Sequence, residues 1–172
     1  MSSLLWYFWT YSFLGWLAER FFAAISHSED RRRRCLLLLP LCPVYGFGML
    51  AVLALPPMDW PGLMLFGGLA ATAVEYVYHW AGERFLGIRF WDYCRVPGNL
   101  RGRVCPPFTL VWGALVWAAV RFIQPGAETL AAEVSPVLTY ACLLVFAADA
   151  VCSLWFLRVT GDLKGMRRAL PL

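Results

Sequence analysis

The chain has 172 residues, of which 60% are hydrophobic and only 15% are charged, and its formal net charge is +4. Soluble domains carry about a quarter charged residues and about half apolar ones, so this composition excludes an ordinary water-soluble globular protein. No polar linker divides the sequence, which indicates an integral membrane protein with one domain over residues 1–172. Six cysteines occur without a C-x-x-C pair. We expect them to be small buried hydrophobic residues, and we predict no metal or cofactor.

Five apolar segments are long enough to cross a membrane as helices. Such a helix needs about 20 mostly apolar residues, and lipid offers no partners to unpaired backbone groups. The first segment lacks the basic start of a secretory signal, so we expect a retained helix there. The sequence therefore predicts an all-α, polytopic helix bundle with spans over residues 4–25, 36–55, 62–85, 107–123 and 136–159.

Basic residues alternate between the connections that join these spans. Cytoplasmic loops carry an excess of Lys and Arg, so we predict an external N-terminus and a cytoplasmic C-terminus. The run Arg31 to Arg34 is interpreted as a topology anchor that favours anionic lipid, and we expect no nucleic-acid partner. The other basic residues of the predicted cytoplasmic side are Arg84, Arg89, Arg95, Arg101, Arg103, Arg158, Lys164, Arg167 and Arg168.

The third predicted span carries an unusual polar stripe. Residues three or four apart share one helix face, so Glu75, His79 and Glu83 lie in one line. A charge inside the membrane costs at least about 2.5 kcal/mol and is usually paired or turned to a watery cavity. We predict that the three residues line a polar cavity open to the cytoplasm. The alternatives are that Glu83 reaches interfacial water and that His79 is only an interhelical hydrogen-bond partner.

Polar residues of other segments are predicted to join this cavity. Pro40 and Pro43 disfavour a regular helix at the start of the second span and suit a cavity wall. In the connection after the third span, glycines permit turns that fold polar side chains back toward the bundle, and arginine suits carboxylate or phosphate contacts. The candidate cavity or substrate-binding residues are Glu19, Tyr45, Glu75, His79, Glu83, Asp92, Tyr93, Asn99, Arg101, Arg103 and Asp149.

A series of motifs resembles a known family. In order, they are "YSFLGWLAE" (11–19), "CPVYGFG" (42–48), "EYVYHWAGERFLGIRFWDY" (75–93), "PGNLRGRVC" (97–105), "LVWG" (110–113) and "DAVCS" (149–153). The chain is similar over most of its length to the putative ABC-transporter type IV permease family, the CmpB-like small membrane proteins. The resemblance implies a multi-pass protein of the bacterial cytoplasmic (inner) membrane with a role as a permease component.

Three functions remain open at this stage. The first is a transporter permease component, which needs a separate ATPase subunit or proton coupling because the chain has no G-x-x-x-x-G-K-[ST] motif; five spans also suggest an oligomer. The second is a membrane-embedded enzyme or binder that acts on an anionic lipid-linked substrate. The third is a non-catalytic scaffold. The sequence leaves enzymatic activity undecided.

Overall fold

In the computed structural model, residues 2–26, 35–163 and 165 are described. Over these residues the fold is all-α, as predicted. We number the helices α1 (Ser2–Ser26), α2 (Pro43–Leu53), α3 (60–86), α4 (Pro106–Glu133) and α5 (Pro136–Thr160). The anchor Arg31 to Arg34, together with Lys164, Arg167 and Arg168 of the tail, lies outside the described residues.

Proline and glycine mark where most of these helices begin and end. Proline occupies the first turn of α2, α3, α4 and α5, where its missing N–H costs no helical hydrogen bond. Asp59 caps α3 by accepting a hydrogen bond from Gly62 N at 3.0 Å. The residues that follow α3 and α5, Gly87 and Gly161, adopt φ values of 67° and 63°, a left-handed conformation that favours glycine.

Helix α2 is the main departure from the predicted spans. We expected a helix over residues 36–55, but residues 35–42 are not helical and α2 has only 11 residues. At about 1.5 Å per residue, α2 covers roughly half of the hydrocarbon core. The physical reason is the pair Pro40 and Pro43, which interrupt the helical hydrogen bonds. The fourth predicted span, 107–123, is also too short, because α4 continues past residue 123 to Glu133.

Glycines bring the first four helices into close contact. Gly15 of α1 lies against the ring of Tyr45 in α2, and Gly46 of α2 lies against Phe8 and Ser12. Gly68 of α3 and Gly113 of α4 form a second close crossing, in which the two helix backbones lie against each other. Small residues at such crossings let helix backbones approach one another. The core that these helices share contains Tyr11, Met49, Val52, Val116 and Ala119.

Helix α5 lies at the side of the bundle, where it packs against non-helical chain. Leu157 is completely buried and belongs to a cluster with Ile88, Phe90 and Leu163, against which Leu36 packs. Most of the remaining apolar surface of α5 is exposed. Only α4 and α5 are long and apolar enough to cross a membrane when the described residues are judged by helix length and composition.

Candidate functional site

The buried carboxylate of Glu75 lies where α3, α4 and the 87–105 loop meet. The residue is 1% exposed. Trp112 of α4 donates its indole N–H to Glu75 Oε2 at 2.8 Å, and Tyr93 of the loop donates its hydroxyl to Oε1 at 3.3 Å. A buried carboxylate needs such donors because burial removes the water molecules that would otherwise hydrogen-bond to it. Glu75 is therefore held by two aromatic side chains that reach it from different elements.

Glu75 also lines an apolar cavity that lies between α1, α2, α3 and α4. The cavity has a volume of about 190 Å³. Its walls are mainly aliphatic, with Leu14, Met49 and Val116 among them, and Glu75 is the only charged residue in its described lining. A cavity of this kind offers a hydrophobic compartment with one carboxyl group in its lining.

Tyr45 links the cavity to a second acid. Its hydroxyl donates to Glu19 Oε1 at 2.5 Å, and its ring packs edge-on against Trp112 with the ring centroids 5.2 Å apart. Tyr45 lines the cavity, whereas Glu19 does not. Of the residues predicted for one shared cavity, only Tyr45 and Glu75 line this one.

His79 and Glu83 form a separate polar cluster one and two turns further along α3. His79 is 1% exposed, and its Nε2 lies 3.5 Å from Glu83 Oε1. Its Nδ1 is buried and has no hydrogen-bond partner among the described residues. The ring of Trp91 covers the imidazole edge-on at 4.8 Å between centroids. The predicted stripe is therefore present on α3, but only Glu75 lines the cavity, whereas His79 and Glu83 contact the 87–105 loop.

Arg103 joins the 87–105 loop to this cluster. Its Nε and Nη2 lie 2.8 and 2.7 Å from Glu83 Oε2, and its Nη1 donates to Tyr76 OH at 2.8 Å. Arg89 approaches the other oxygen of Glu83, with Nε 2.9 Å from Oε1. Two charge-assisted hydrogen bonds to one carboxylate make a strong and directional contact. Arg103 is thus engaged within the protein.

Replacing Arg103 by methionine is expected to loosen the loop. Amide exchange over residues 88–105 should become about tenfold faster, because local opening no longer breaks charge-assisted bonds. Hydrogen exchange in detergent measures this. Arg89→Met removes a guanidinium that is 64% exposed and should have a much smaller effect. Equal effects of the two variants would contradict the proposed dominance of Arg103.

The remaining loop candidates build the loop itself. Asn99 accepts from Gly102 N at 2.8 Å and donates to Val96 O at 2.8 Å, which fixes the turn. Asp92 accepts from the backbone N–H of Cys94 at 2.8 Å, and hydrogen bonding to Cys94 lowers the pKa of Asp92. Arg101 is exposed, with a φ of 55°. These three residues were predicted to face the cavity, but none of them lines it.

Asp149 lies away from the cavity and binds the non-helical segment 35–42. Its Oδ1 accepts from Leu38 N and its Oδ2 from Leu39 N, each at 3.2 Å, and Ser153 Oγ donates to Oδ1 at 3.2 Å. The prediction that Asp149 shares a cavity with Glu75 is therefore wrong for the cavity that Glu75 lines. The reason is that unpaired backbone N–H groups next to Pro40 require an acceptor.

The candidate list missed two residues that contact its acids. Trp112 belongs to the motif "LVWG" (110–113), but spacing cannot show that it reaches Glu75 across 37 residues. Tyr76 was overlooked, although it precedes Glu83 by seven residues and so shares its helix face. The seven-residue spacing was the feature of the sequence that could have placed Tyr76 beside Glu83.

One comparison with known proteins assigns the chain to a family. The family described as "Putative ABC-transporter type IV" matches residues 6–154, most of the sequence. No curated protein and no solved structure matches the chain. The matched range includes α1, α2, α3, α4, the 87–105 loop and Asp149 of α5. The chain therefore belongs to the family of proteins described as putative ABC-transporter type IV.

Proposed function

We propose that the protein is a five-pass membrane subunit of a transport system, with a ligand site in the cavity at Glu75. Membership of the ABC-transporter type IV family supports the transport role. The sequence has no G-x-x-x-x-G-K-[ST] motif, so ATP hydrolysis in such a system belongs to a separate subunit. The proposed location is the bacterial cytoplasmic membrane, with the N-terminus outside.

The exposed surface supports insertion in a membrane. Val137, Leu144 and Trp155 of α5 are 80%, 72% and 68% exposed, and Leu110 of α4 is 76% exposed. Exposed apolar area on this scale marks an interaction surface, and a bilayer is the partner that suits whole helices. In this arrangement residues 35–42 and α2 together make one interrupted pass. Transporter sites often lie beside such broken helices.

The single observation that supports the ligand site is the buried carboxylate of Glu75 in an apolar cavity. Glu75 borders the cavity while it accepts hydrogen bonds from Trp112 and Tyr93, and a carboxyl group in an apolar lining favours a ligand with a polar head. The aliphatic walls favour a ligand with an apolar body. We infer an amphipathic ligand with a cationic or hydrogen-bond-donating head.

An alkylammonium ion tests this proposal against a matched neutral alcohol. Hexylammonium should bind the protein in lipid nanodiscs at least about tenfold more tightly than hexanol, because a hydrogen bond to a charged group contributes about 1.5–3 kcal/mol. Glu75→Gln should abolish that preference. Ligand-observed NMR measures both affinities, and empty nanodiscs correct for partition into lipid.

The control variant is Glu133→Gln, which removes an exposed carboxylate at the end of α4. It should retain the preference for hexylammonium. If wild-type protein binds both compounds equally, or if Glu75→Gln keeps the preference, the ligand site is not at Glu75.

A further inference from the structure

We propose that the cavity at Glu75 opens sideways into the membrane between α1 and α4, and that it takes a single-chain amphiphile from the bilayer. The polar head of this ligand lies at Glu75, and its alkyl chain leaves through the opening into lipid. The position of the head rests on the ligand site proposed above, whereas the opening follows from the packing of α1 and α4 alone. The inference adds a class of ligand and a route of entry to that site.

The exposed residues of the described cavity lining all belong to α1 and α4. They are Ala18 of α1 and Leu115 and Ile123 of α4, and the exposed fractions of Leu115 and Ile123 are 50% and 37%. The lining residues that α2 and α3 contribute are buried or half-buried. A lining residue that is also exposed marks a place where a cavity reaches the surface. We call the place bounded by Ala18, Leu115 and Ile123 the lateral opening.

The packing of α1 against α4 explains why a gap is present at this place. Tyr11 of α1 donates its hydroxyl to Gln124 Oε1 at 2.8 Å, and Gln124 Nε2 donates to Glu128 Oε1 at 3.0 Å. Among the described residues, the contacts of α1 with α4 are concentrated in this part of α4, residues 124–133. The two helices are therefore joined beyond Ile123 and pack less closely from Leu115 to Ile123, a stretch roughly 12 Å long.

The lateral opening faces lipid in the proposed membrane arrangement. Residues 115–123 lie within the apolar span predicted over 107–123, which is of the length that crosses the hydrocarbon core. Apolar side chains flank the opening on both helices, since Phe122 of α4 and Leu17 of α1 are 69% and 42% exposed. Arg121 lies near the end of the span, from which its long side chain can reach the interface. The opening therefore favours a ligand that is dissolved in the bilayer over a hydrophilic solute.

The size of the cavity agrees with a chain that extends out of it. Its volume of about 190 Å³ is below the roughly 300–1,000 Å³ of pockets that enclose drug-sized ligands. A short chain fits between the walls, but a longer one has to extend beyond them. The lateral opening lets the longer chain continue into lipid while the head stays at the carboxyl group of Glu75.

Labelling from the lipid phase tests the lateral opening without any cavity ligand. A hydrophobic aryl diazirine is dissolved in the bilayer of nanodiscs that hold the full chain, and light then couples it to the residues that it touches. Met49 and Val116 line the cavity but are only 8% and 3% exposed. Mass spectrometry should find the label on both residues in wild type. Ala18→Trp should lower both yields at least about fivefold, because a large indole ring fills the opening.

Ala114→Trp is the matched control, because Ala114 is exposed on α4 but does not line the cavity. It should leave the labelling of Met49 and Val116 unchanged, and the label on the exposed surface of α5 normalises the yields. Leu115→Trp should act as Ala18→Trp does and replaces it if that variant does not fold. The proposal is overturned if Met49 and Val116 stay unlabelled in wild type, as they would if a second copy of the chain covered the opening. Equal labelling in wild type and Ala18→Trp also overturns it.

The length of the alkyl chain tests the proposed ligand. Dodecylammonium should be preferred over dodecanol by at least the about tenfold expected for hexylammonium over hexanol, because the longer chain continues into lipid. Ligand-observed NMR in nanodiscs measures both preferences, and empty nanodiscs correct for partition into lipid. Ala18→Trp should remove the preference for dodecylammonium, whereas Ala114→Trp should keep it.

The outcomes separate this inference from the ligand site itself. If hexylammonium is preferred and dodecylammonium is not, the cavity is closed to a longer chain and the inference fails, while the ligand site stands. If neither ammonium ion is preferred although Met49 and Val116 are labelled, the ligand site at Glu75 fails together with the proposed amphiphile, while the lateral opening stands.

Discussion

Replacing Gly113 by alanine is expected to lower the melting temperature of the detergent-purified protein by on the order of 10 °C, because overpacking a tight contact costs about 3 kcal/mol. A β-carbon at Gly113 would collide with the carbonyl oxygen of Met64 in α3. Backbone cannot rotate away as a flexible side chain can, so α3 and α4 must separate. Tryptophan fluorescence during heating measures the effect.

Gly126→Ala is the matched control, because it lies in the same helix. A β-carbon there meets nothing within 4 Å. Alanine is a better helix former than glycine by about 0.5–1 kcal/mol, so this variant should melt at or above the wild-type temperature. The two substitutions are thus expected to have opposite signs. If Gly113→Ala melts as the wild type does, the close crossing of α3 and α4 is wrong.

Replacing Asp149 by leucine is expected to cost about 4 kcal/mol of unfolding free energy, because two backbone N–H groups lose their acceptor. Each orphaned donor in an apolar environment contributes about 1–3 kcal/mol to that loss. The amides of Leu38 and Leu39 should exchange far faster than in wild type, and amide exchange with mass spectrometry locates the change. The loss should be confined to residues 35–42 and the helix that faces them.

A graded series distinguishes this account from a general effect of altering α5. Asp149→Asn keeps one acceptor oxygen and should cost about half as much as the leucine variant. Ser153→Ala removes only the hydroxyl that donates to Asp149 and should leave both amides protected. Unchanged exchange at Leu38 and Leu39 in the leucine variant would show that Asp149 does not hold this segment.

The sequence was sufficient to predict the helical fold, because long apolar runs have few alternatives in lipid. Helices α1, α3 and α5 begin and end within a few residues of the predicted spans 1, 3 and 5. The second span failed for a local reason. Apolarity predicted a helix through Leu36 to Cys42, whereas Pro40 and Pro43 prevented one. The apolar composition favoured a helix in this segment, but the prolines interrupt the helical hydrogen bonds, and the segment is not helical.

The candidate site was only partly predictable, because periodicity places residues on a face but does not name what covers that face. The spacing of Glu75, His79 and Glu83 correctly placed them in one line on α3. It could not show that Trp112 reaches Glu75 or that Arg103 returns from the loop to bind Glu83. Those contacts depend on how α4 and the 87–105 loop pack, which a single helical pattern does not encode.

Asp149 is a second residue whose partner could not be predicted from the sequence. An acid in the middle of an apolar helix indicated a polar partner, and the structure supplies one. The partner is backbone from a distant segment, which has no characteristic side-chain pattern in the sequence. A pair of prolines near an apolar run, together with an unexplained intramembrane acid, is the combination that could have pointed to it.

The most direct test of the membrane arrangement uses the native Cys94, which is exposed in the 87–105 loop. In a chain whose other cysteines are replaced, a membrane-impermeant maleimide should label Cys94 in inside-out vesicles and not in intact cells. Pro57→Cys in the connection between α2 and α3 should show the reverse pattern. Labelling of Cys94 from outside intact cells, or labelling of both positions from one face, would contradict the proposed topology.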